Sequence, residues 1–397
     1  MTGRDAVLVS FARTPMTRLG GAQSTLTAAQ LGAAAIRGAV ERARIRPTAV
    51  DAVLMGQVVL AGAGQNPARQ AAHLAGLPWT VPATTVNKVC LSGLTAIIDA
   101  ARLIRCDEAD VVVAGGQESM SLAPHLLPGS RRGWTYGDIT AADSLARDGL
   151  TDAFDGESMG ASTERGNAAL GITRFAQDEV ALASHLRAAA AVTSGVFAEE
   201  IVPVPVPQRR GDPVTVDADE GIRPTTTIES LGALRPAFAP DGTITAGNAS
   251  PLTDGAAAVV VAARDVAESR GWPVLCTVGA WGQVAGPDTS LHSQPARAIE
   301  AAVKRAGWDV GHLDLVEINE AFGSVVAQSL ADLDYPLERT NLHGGAIALG
   351  HPIGASGARL AGHAALELAR RGSGRAAVAL CGGGGQGEAL LLFRDRA

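Results

Sequence analysis

No apolar run in this 397-residue chain approaches the ~20 residues that a membrane-spanning helix needs. The opening segment MTGRDAVLVSFARTP has no basic start, apolar middle or small-residue cleavage site, so it does not read as a secretory signal. Cysteine is rare. Cys90, Cys106, Cys276 and Cys381 are far apart with no CxxC pair, which fits free thiols in a reducing compartment better than a disulfide framework. Basic excess is absent too: the net charge of −7 argues against a nucleic-acid partner, because a duplex binder needs a basic face. An anionic small ligand stays possible wherever Arg, Lys or helix N-termini gather. The eight histidines show no HxxxH or Cys/His ligand spacing, so no metal is expected. Phosphate-loop and G-x-S-x-G patterns are missing. Residues 382–387 do match G-x-G-x-x-G, but they lead into the strand-like EALLLF instead of a helix, which excludes a dinucleotide site. These absences leave a soluble, cytoplasmic protein with neither a membrane nor a nucleic acid as partner.

What is present is a large apolar share, 47%, against 18% charged residues, as a buried α/β core requires. Gly-bounded apolar segments alternate with Ala-rich helical ones, the pattern of helices packed on both faces of parallel sheets. Strands are expected at 6–11, 52–59, 84–87, 110–115, 257–261, 275–280, 314–319, 376–381 and 388–393. Helices are expected at 28–43, 67–75, 91–105, 175–193, 295–306, 320–330 and 355–371. The chain also repeats itself loosely. Each half has a buried strand ending in a polar loop, a turn opening a helix, and an Ala/Val strand running into glycines, which reads as an internal duplication. Between the halves lies a Pro-, Arg- and polar-rich stretch with one clear helix, read as an inserted loop domain. The expected organisation is 1–120 plus 248–271 as the first half, 121–247 as the insertion and 272–397 as the second half.

Four segments carry candidate chemistry. In TTVNKVCLSGLTAIIDAARLI, Cys90 ends a β-branched run at the start of a helical pattern. Unpaired N–H groups and the helix dipole there favour a thiolate and are expected to lower its pKa. A buried cysteine is more often a small hydrophobe, and Cys90 alone does not settle the matter. In GGAIALGHPIGASGAR, His351 precedes Pro352, which is placed to open the following helix. Its position mirrors the Cys90 turn, so the two elbows of a duplicated fold would face one another as nucleophile and base. In ALCGGGGQGEAL, Cys381 ends a buried strand at four glycines that expose backbone N–H groups, as an oxyanion hole requires. In EINEAFGS, Asn319 either caps a helix or orients a water or carbonyl.

Taken together, NKVCLSG, NEAF, GHPIGASG and CGGGGQG resemble the thiolase family, as do GGQESMSLAPH and TAGNASPLTDGAAAV. The resemblance runs through essentially the whole chain and is nearest to the family's acetyl-CoA acetyltransferases (acetoacetyl-CoA thiolases). It implies the duplicated α-β-α-β-α layered fold with an inserted loop domain covering the CoA site. It also implies Claisen condensation of two acetyl-CoA to acetoacetyl-CoA plus CoA, and the reverse thiolysis, by a ping-pong route through an acetyl-Cys90 thioester. In that scheme His351 activates Cys90, and Cys381 moves the proton at the α-carbon. Asn319 fixes a water that forms one oxyanion hole with His351, and the N–H groups of Cys90 and Gly383 form the other. One thiol cannot hold the acyl group and act as the base at once, which explains two cysteines.

The same resemblance places Arg223, Ser230, Phe238, Ser250 and Met159 along the CoA channel, with Ala321 and Phe322 walling the acyl pocket. It implies no tightly bound cofactor, coenzyme A being substrate and product, and a homotetramer (a dimer of dimers) with contacts near SLAPHLLPGSRRGWTYGD. Ser158 stands where many acetoacetyl-CoA members have His, and Gly323 where Ala is usual. Three other readings compete. A degradative 3-ketoacyl-CoA thiolase of broader chain length would prefer longer substrates. A β-ketoacyl synthase would not carry the second thiol, Cys381. A non-catalytic acyl-CoA-binding protein should have lost Cys90, His351 or Cys381, and all three are present.

Overall fold

The structure, a computed structural model, describes residues 4–396. The first half comprises strands β1 (Ala6–Arg13), β2 (Ala52–Gly56), β3 (Ala83–Val86), β4 (Val111–Glu118) and β5 (Thr253–Ala263). Its helices are α1 (Ala28–Arg42), α2 (Pro67–Leu74) and α3 (Ser92–Arg105). The insertion after β4 carries α4 (Met159–Leu170), α5 (Arg174–Thr193) and the short α6 (Ile228–Gly232). After β5 come α7 (Arg264–Ser269), β6 (Cys276–Ala285), α8 (Gln294–Ala306), β7 (Leu315–Ile318), α9 (Gly323–Leu333), α10 (Ala346–Leu349), α11 (Ser356–Arg371), β8 (Gly374–Gly382) and β9 (Gln386–Arg394). Every strand and helix expected from the sequence is there, with ends shifted by a few residues.

The strands run in the order β7-β8-β9-β6-β1-β5-β4-β2-β3. Within the first half the order is β3-β2-β4-β5-β1. In the second, Thr340 makes a parallel bridge to β7, giving the corresponding order Thr340-β7-β8-β9-β6. Parallel and antiparallel pairings also correspond: β2–β4 and β7–β8 are parallel, while β4–β5 and β8–β9 are antiparallel. The duplication is therefore a property of the topology. The expected parallel sheets are instead mixed, because a turn as short as 383–385 can join β8 to β9 only as a hairpin.

Alternation along each strand builds the layers. In β5, Ala257, Val259 and Val261 face a central layer that contains α3 and α11, while Ala256, Ala258, Val260 and Ala262 face α1 and α2. In the second half, Val316, Ile318, Ala377 and Leu391 face α8 and α9. The result is α-β-α-β-α. The two central helices meet at their N-termini through glycine, where a Cβ on Gly357 would lie 2.4 Å from the Leu94 nitrogen, and one on Gly93 2.7 Å from the Gly354 oxygen. Gly357→Ala should cost about 3 kcal/mol, since backbone cannot step aside as a flexible side chain does. Chemical denaturation of that variant beside Gly232→Ala, whose Cβ meets nothing within 4 Å, checks this; equal midpoints would contradict it.

The insertion holds two long helices where one was expected. Helix α4 contains Gly160 and Gly166 and lacks a clear apolar period, so its sequence hides it. It is bounded by local chemistry: the Ser158 hydroxyl caps it by accepting the Ala161 N–H, and Gly171 ends it at φ +68°. Buried polar links tie the insertion to both halves. The fully buried Arg13 of β1 pairs with Asp219 at 2.7 Å and Glu200 at 3.2 Å, and Ser184 of α5 donates to Glu320 at 2.6 Å.

Candidate active site

Three turns and one strand end bring the candidate residues together. Cys90 sits in the turn between β3 and α3, after Val89, whose φ of +51° is rare for a β-branched residue. Ser92 holds that turn closed, accepting from the Lys88 N–H at 2.8 Å and donating to the Val89 carbonyl at 2.6 Å. His351 follows Gly350 in the segment between α10 and α11, where its N–H donates to Thr253 Oγ1 at 3.1 Å. Cys381 is the penultimate residue of β8 and is buried among Leu291, Phe322 and Val325. Cys90, His351, Cys381 and Gly383 line one cavity of about 300 Å³.

Hydrogen bonding assigns the histidine tautomer. Ser356 Oγ lies 2.5 Å from His351 Nδ1 and donates its own proton to the Pro352 carbonyl at 3.0 Å. The serine oxygen is then the acceptor for a proton on Nδ1, which leaves a lone pair on Nε2. Asn319 Nδ2 is 3.4 Å from that Nε2, and its buried Oδ1 has no protein partner. Asn319 is not a helix cap, because α9 begins at Gly323 with Phe322 before it. The N–H groups of Cys90 and Gly383 both favour negative charge on Cys90 Sγ.

Against this geometry, residues 6–265 match the family described as Thiolase, N-terminal domain, and 272–394 match Thiolase, C-terminal domain. A Mycolicibacterium smegmatis protein named "Probable acetyl-CoA acetyltransferase" is 57% identical over 388 residues, covering 98% of this chain and 100% of that protein. Proteins named "Acetyl-CoA acetyltransferase" from Pseudomonas aeruginosa and Cupriavidus necator are each 47% identical, covering 99% and 98% of this chain and 100% and 99% of their own lengths.

The chain belongs to the thiolase family.

The electrostatics of this thiolase correct one expectation. The helix N-terminus does not leave Cys90 acidic: burial against Val89, Met120 and Leu252 pushes the thiol up to about 12, over the opposing pull of the two N–H groups. Burial, with the charge of Arg359 adding to it, holds His351 down to about 4. The pair therefore rests as neutral thiol and neutral imidazole. Cys381 is also raised, first by burial and then by Cys90, since two thiolates side by side repel. At pH 6 the ring should remain neutral with its proton on Nδ1, whereas an ordinary histidine would be mostly protonated below 6.5. Long-range ¹⁵N spectra of the imidazole check this, and a doubly protonated ring at pH 6 would contradict it.

Met159, Phe238, Ser250, Ala321 and Phe322 line the same cavity. Phe238 and Phe322 meet edge-on at 6.2 Å, and Ser250 bonds the Ala321 carbonyl through both its N–H and its hydroxyl, each at 3.1 Å. Arg223 and Ser230 lie outside that lining. The Arg223 N–H donates to His185 Nδ1, and the Ser230 hydroxyl is engaged in the capping box that starts α6. Pro352 does not open α11, which begins at Ser356; its carbonyl instead accepts the first bonds of that turn. Sequence reasoning missed Met120, Leu150, Leu291 and Ile353, apolar wall residues without a local signal. Among the described residues, no three His, Cys, Asp or Glu side chains converge as a metal site, and no helix is long and apolar enough to cross a membrane.

Proposed function

We propose that this thiolase is an acetyl-CoA C-acetyltransferase. The observation that carries the reading is the convergence of Cys90, His351, Cys381 and Gly383 on one cavity, with Asn319 behind the imidazole. Cys90 Sγ attacks the acetyl carbonyl of acetyl-CoA as its proton passes to His351 Nε2. The C–S bond to CoA breaks and the departing CoA sulfur takes the Cys381 proton, which leaves a Cys381 thiolate opposite a protonated His351. In the second step Cys381 removes a proton from the methyl group of another acetyl-CoA. The resulting carbanion attacks the acetyl-Cys90 carbonyl, the C–S bond to Cys90 breaks, and the Cys90 sulfur recovers its proton from His351 Nε2. Thiolysis runs these steps backwards. The N–H groups of Cys90 and Gly383 stabilise one oxyanion, and His351 with a water held by Asn319 stabilises the other. Coenzyme A is a substrate and product in this scheme, and no step requires a metal.

A degradative 3-ketoacyl-CoA thiolase of broader chain length is the second reading. It is favoured by Ser158, whose short side chain lines the cavity while capping α4. CoA-dependent cleavage of acetoacetyl-CoA beside a 3-ketoacyl-CoA of about eight carbons separates the two readings. Preference for acetoacetyl-CoA supports the first, and preference for the longer chain supports the second. Cleavage of neither by folded protein sinks both.

We also propose a homotetramer in the cytoplasm. Support comes from the small hairpin pairing His125–Leu126 with Ala142–Asp143, around which Leu122, Leu127, Trp134 and Ile139 are roughly half exposed and Tyr136 is fully exposed. A monomeric mass in sedimentation at micromolar protein would refute the assembly.

A further inference from the structure

We infer that Lys88, Thr95 and Glu388 form a clamp that fixes the nucleophile turn against the strand pair carrying the second thiol, and so sets the spacing of Cys90 and Cys381. The inference rests on the roles proposed above for these two cysteines. Glu388 belongs to β9 in the second half and is fully buried. Its carboxylate reaches across to the first half, where Lys88 Nζ donates to Oε1 at 2.9 Å and Thr95 Oγ1 to Oε2 at 2.6 Å. Gln283 of β6 donates to Oε1 as well. Lys88, Thr95 and Glu388 lie outside the cavity lining. They are positioning residues.

Their placement gives the clamp its purpose. Lys88 immediately precedes Val89, the residue with φ +51°, and Thr95 stands in the first turn of α3, its N–H donating to the Leu91 carbonyl. Glu388 therefore grips the Cys90 corner on both sides of its unfavourable backbone. Such a conformation persists only where the surroundings over-determine it. On its own strand, Glu388 is paired with Leu380 and the adjacent Gly387 with Cys381, so any slide of β9 moves the second thiol. An apolar side chain would pack α3 onto β9 without fixing direction. A carboxylate with three donors fixes both distance and angle. His351 is held differently, through Ser356 and the contact of Gly357 with α3. Weakening the clamp should thus disturb Cys381 relative to the acyl group more than it disturbs the Cys90–His351 pair.

The test uses the full chain with Glu388→Gln, Lys88→Met and Lys88→Arg. Two rates are measured in each: acetylation of Cys90 by acetyl-CoA, read by mass spectrometry, and steady-state thiolysis of acetoacetyl-CoA. In Glu388→Gln and Lys88→Met, acetylation should stay within about threefold of wild type while thiolysis kcat falls by about 10–100-fold, the effect of a misplacement of order 1 Å. Lys88→Arg, which keeps the charge pair, should restore kcat to within about threefold. Lys88 is a quarter exposed, so its variants can refill with water and fold even if Glu388→Gln does not. Thiolysis within threefold of wild type in Lys88→Met would overturn the clamp. So would a parallel fall of both rates, which marks a merely structural pair. Failure of the wild type to form acetyl-Cys90 would instead overturn the functional reading on which the clamp depends.

Discussion

Cys90→Ala should abolish acetyl transfer, lowering thiolysis of acetoacetyl-CoA by about 10⁴-fold or more while the protein stays folded. The size of the effect follows from the chemistry: without the thiol there is no acyl-enzyme, and the oxyanion donors and bound substrate alone leave only a small residual rate. The thiol rests protonated, pushed up to about 12 by burial, so in the proposed mechanism the reactive thiolate arises only as His351 takes the proton. For the same reason Cys90→Ser should be nearly as poor, a hydroxyl being harder still to deprotonate. Loss of acetoacetyl-CoA over time, with intact mass spectra after mixing with acetyl-CoA, provides the check. A variant retaining a tenth of wild-type activity would remove Cys90 from the nucleophile's role.

Cys381→Ala should separate the two half-reactions. Acetylation of Cys90 continues, because its base is His351, but condensation and thiolysis fall by about 10²–10⁴-fold for want of a proton acceptor at the α-carbon. The acetylated enzyme should therefore accumulate, with one CoA released per active site and no acetoacetyl-CoA following. The electrostatics support this order of events. Cys381 is raised partly by Cys90 beside it, and acetylation removes that ionisable neighbour. Cys381 then becomes the one thiol of the pair able to carry charge in the second step. If acetylation is lost in Cys381→Ala to the same degree as turnover, the division of labour between the two thiols is wrong.

Much of the fold was legible because its elements announce themselves locally. The alternation of β5, the Thr27–Gln30 capping box of α1 and the glycines after Cys381 are all written in short stretches of chain. What stayed hidden had no local signature. Helix α4 has two glycines and depends on its caps and on packing beneath Phe238. The mixed direction of the second half's sheet follows from a three-residue turn at 383–385, whose glycines read in the sequence as exposing backbone N–H groups. At the site, the motifs marked Cys90, His351, Cys381 and Asn319, but the wall residues Met120, Leu150, Leu291 and Ile353 come from distant segments and look like ordinary core.

The sequence by itself determined which side chains are available for chemistry, the order of the strands and helices that carry them, and the duplicated pattern that sets Cys90 and His351 on equivalent turns. The tertiary structure decided their chemical state. Whether Cys90 rests as thiolate or thiol depends on how much water its walls exclude, and those walls are assembled from segments hundreds of residues apart. Likewise, the proton on His351 Nδ1 is assigned by Ser356 and Pro352 in the turn that opens α11, and the Lys88–Glu388 contact spans 300 residues of chain. Burial and long-range hydrogen bonds are properties of the packed molecule, so no stretch of sequence read alone contains them.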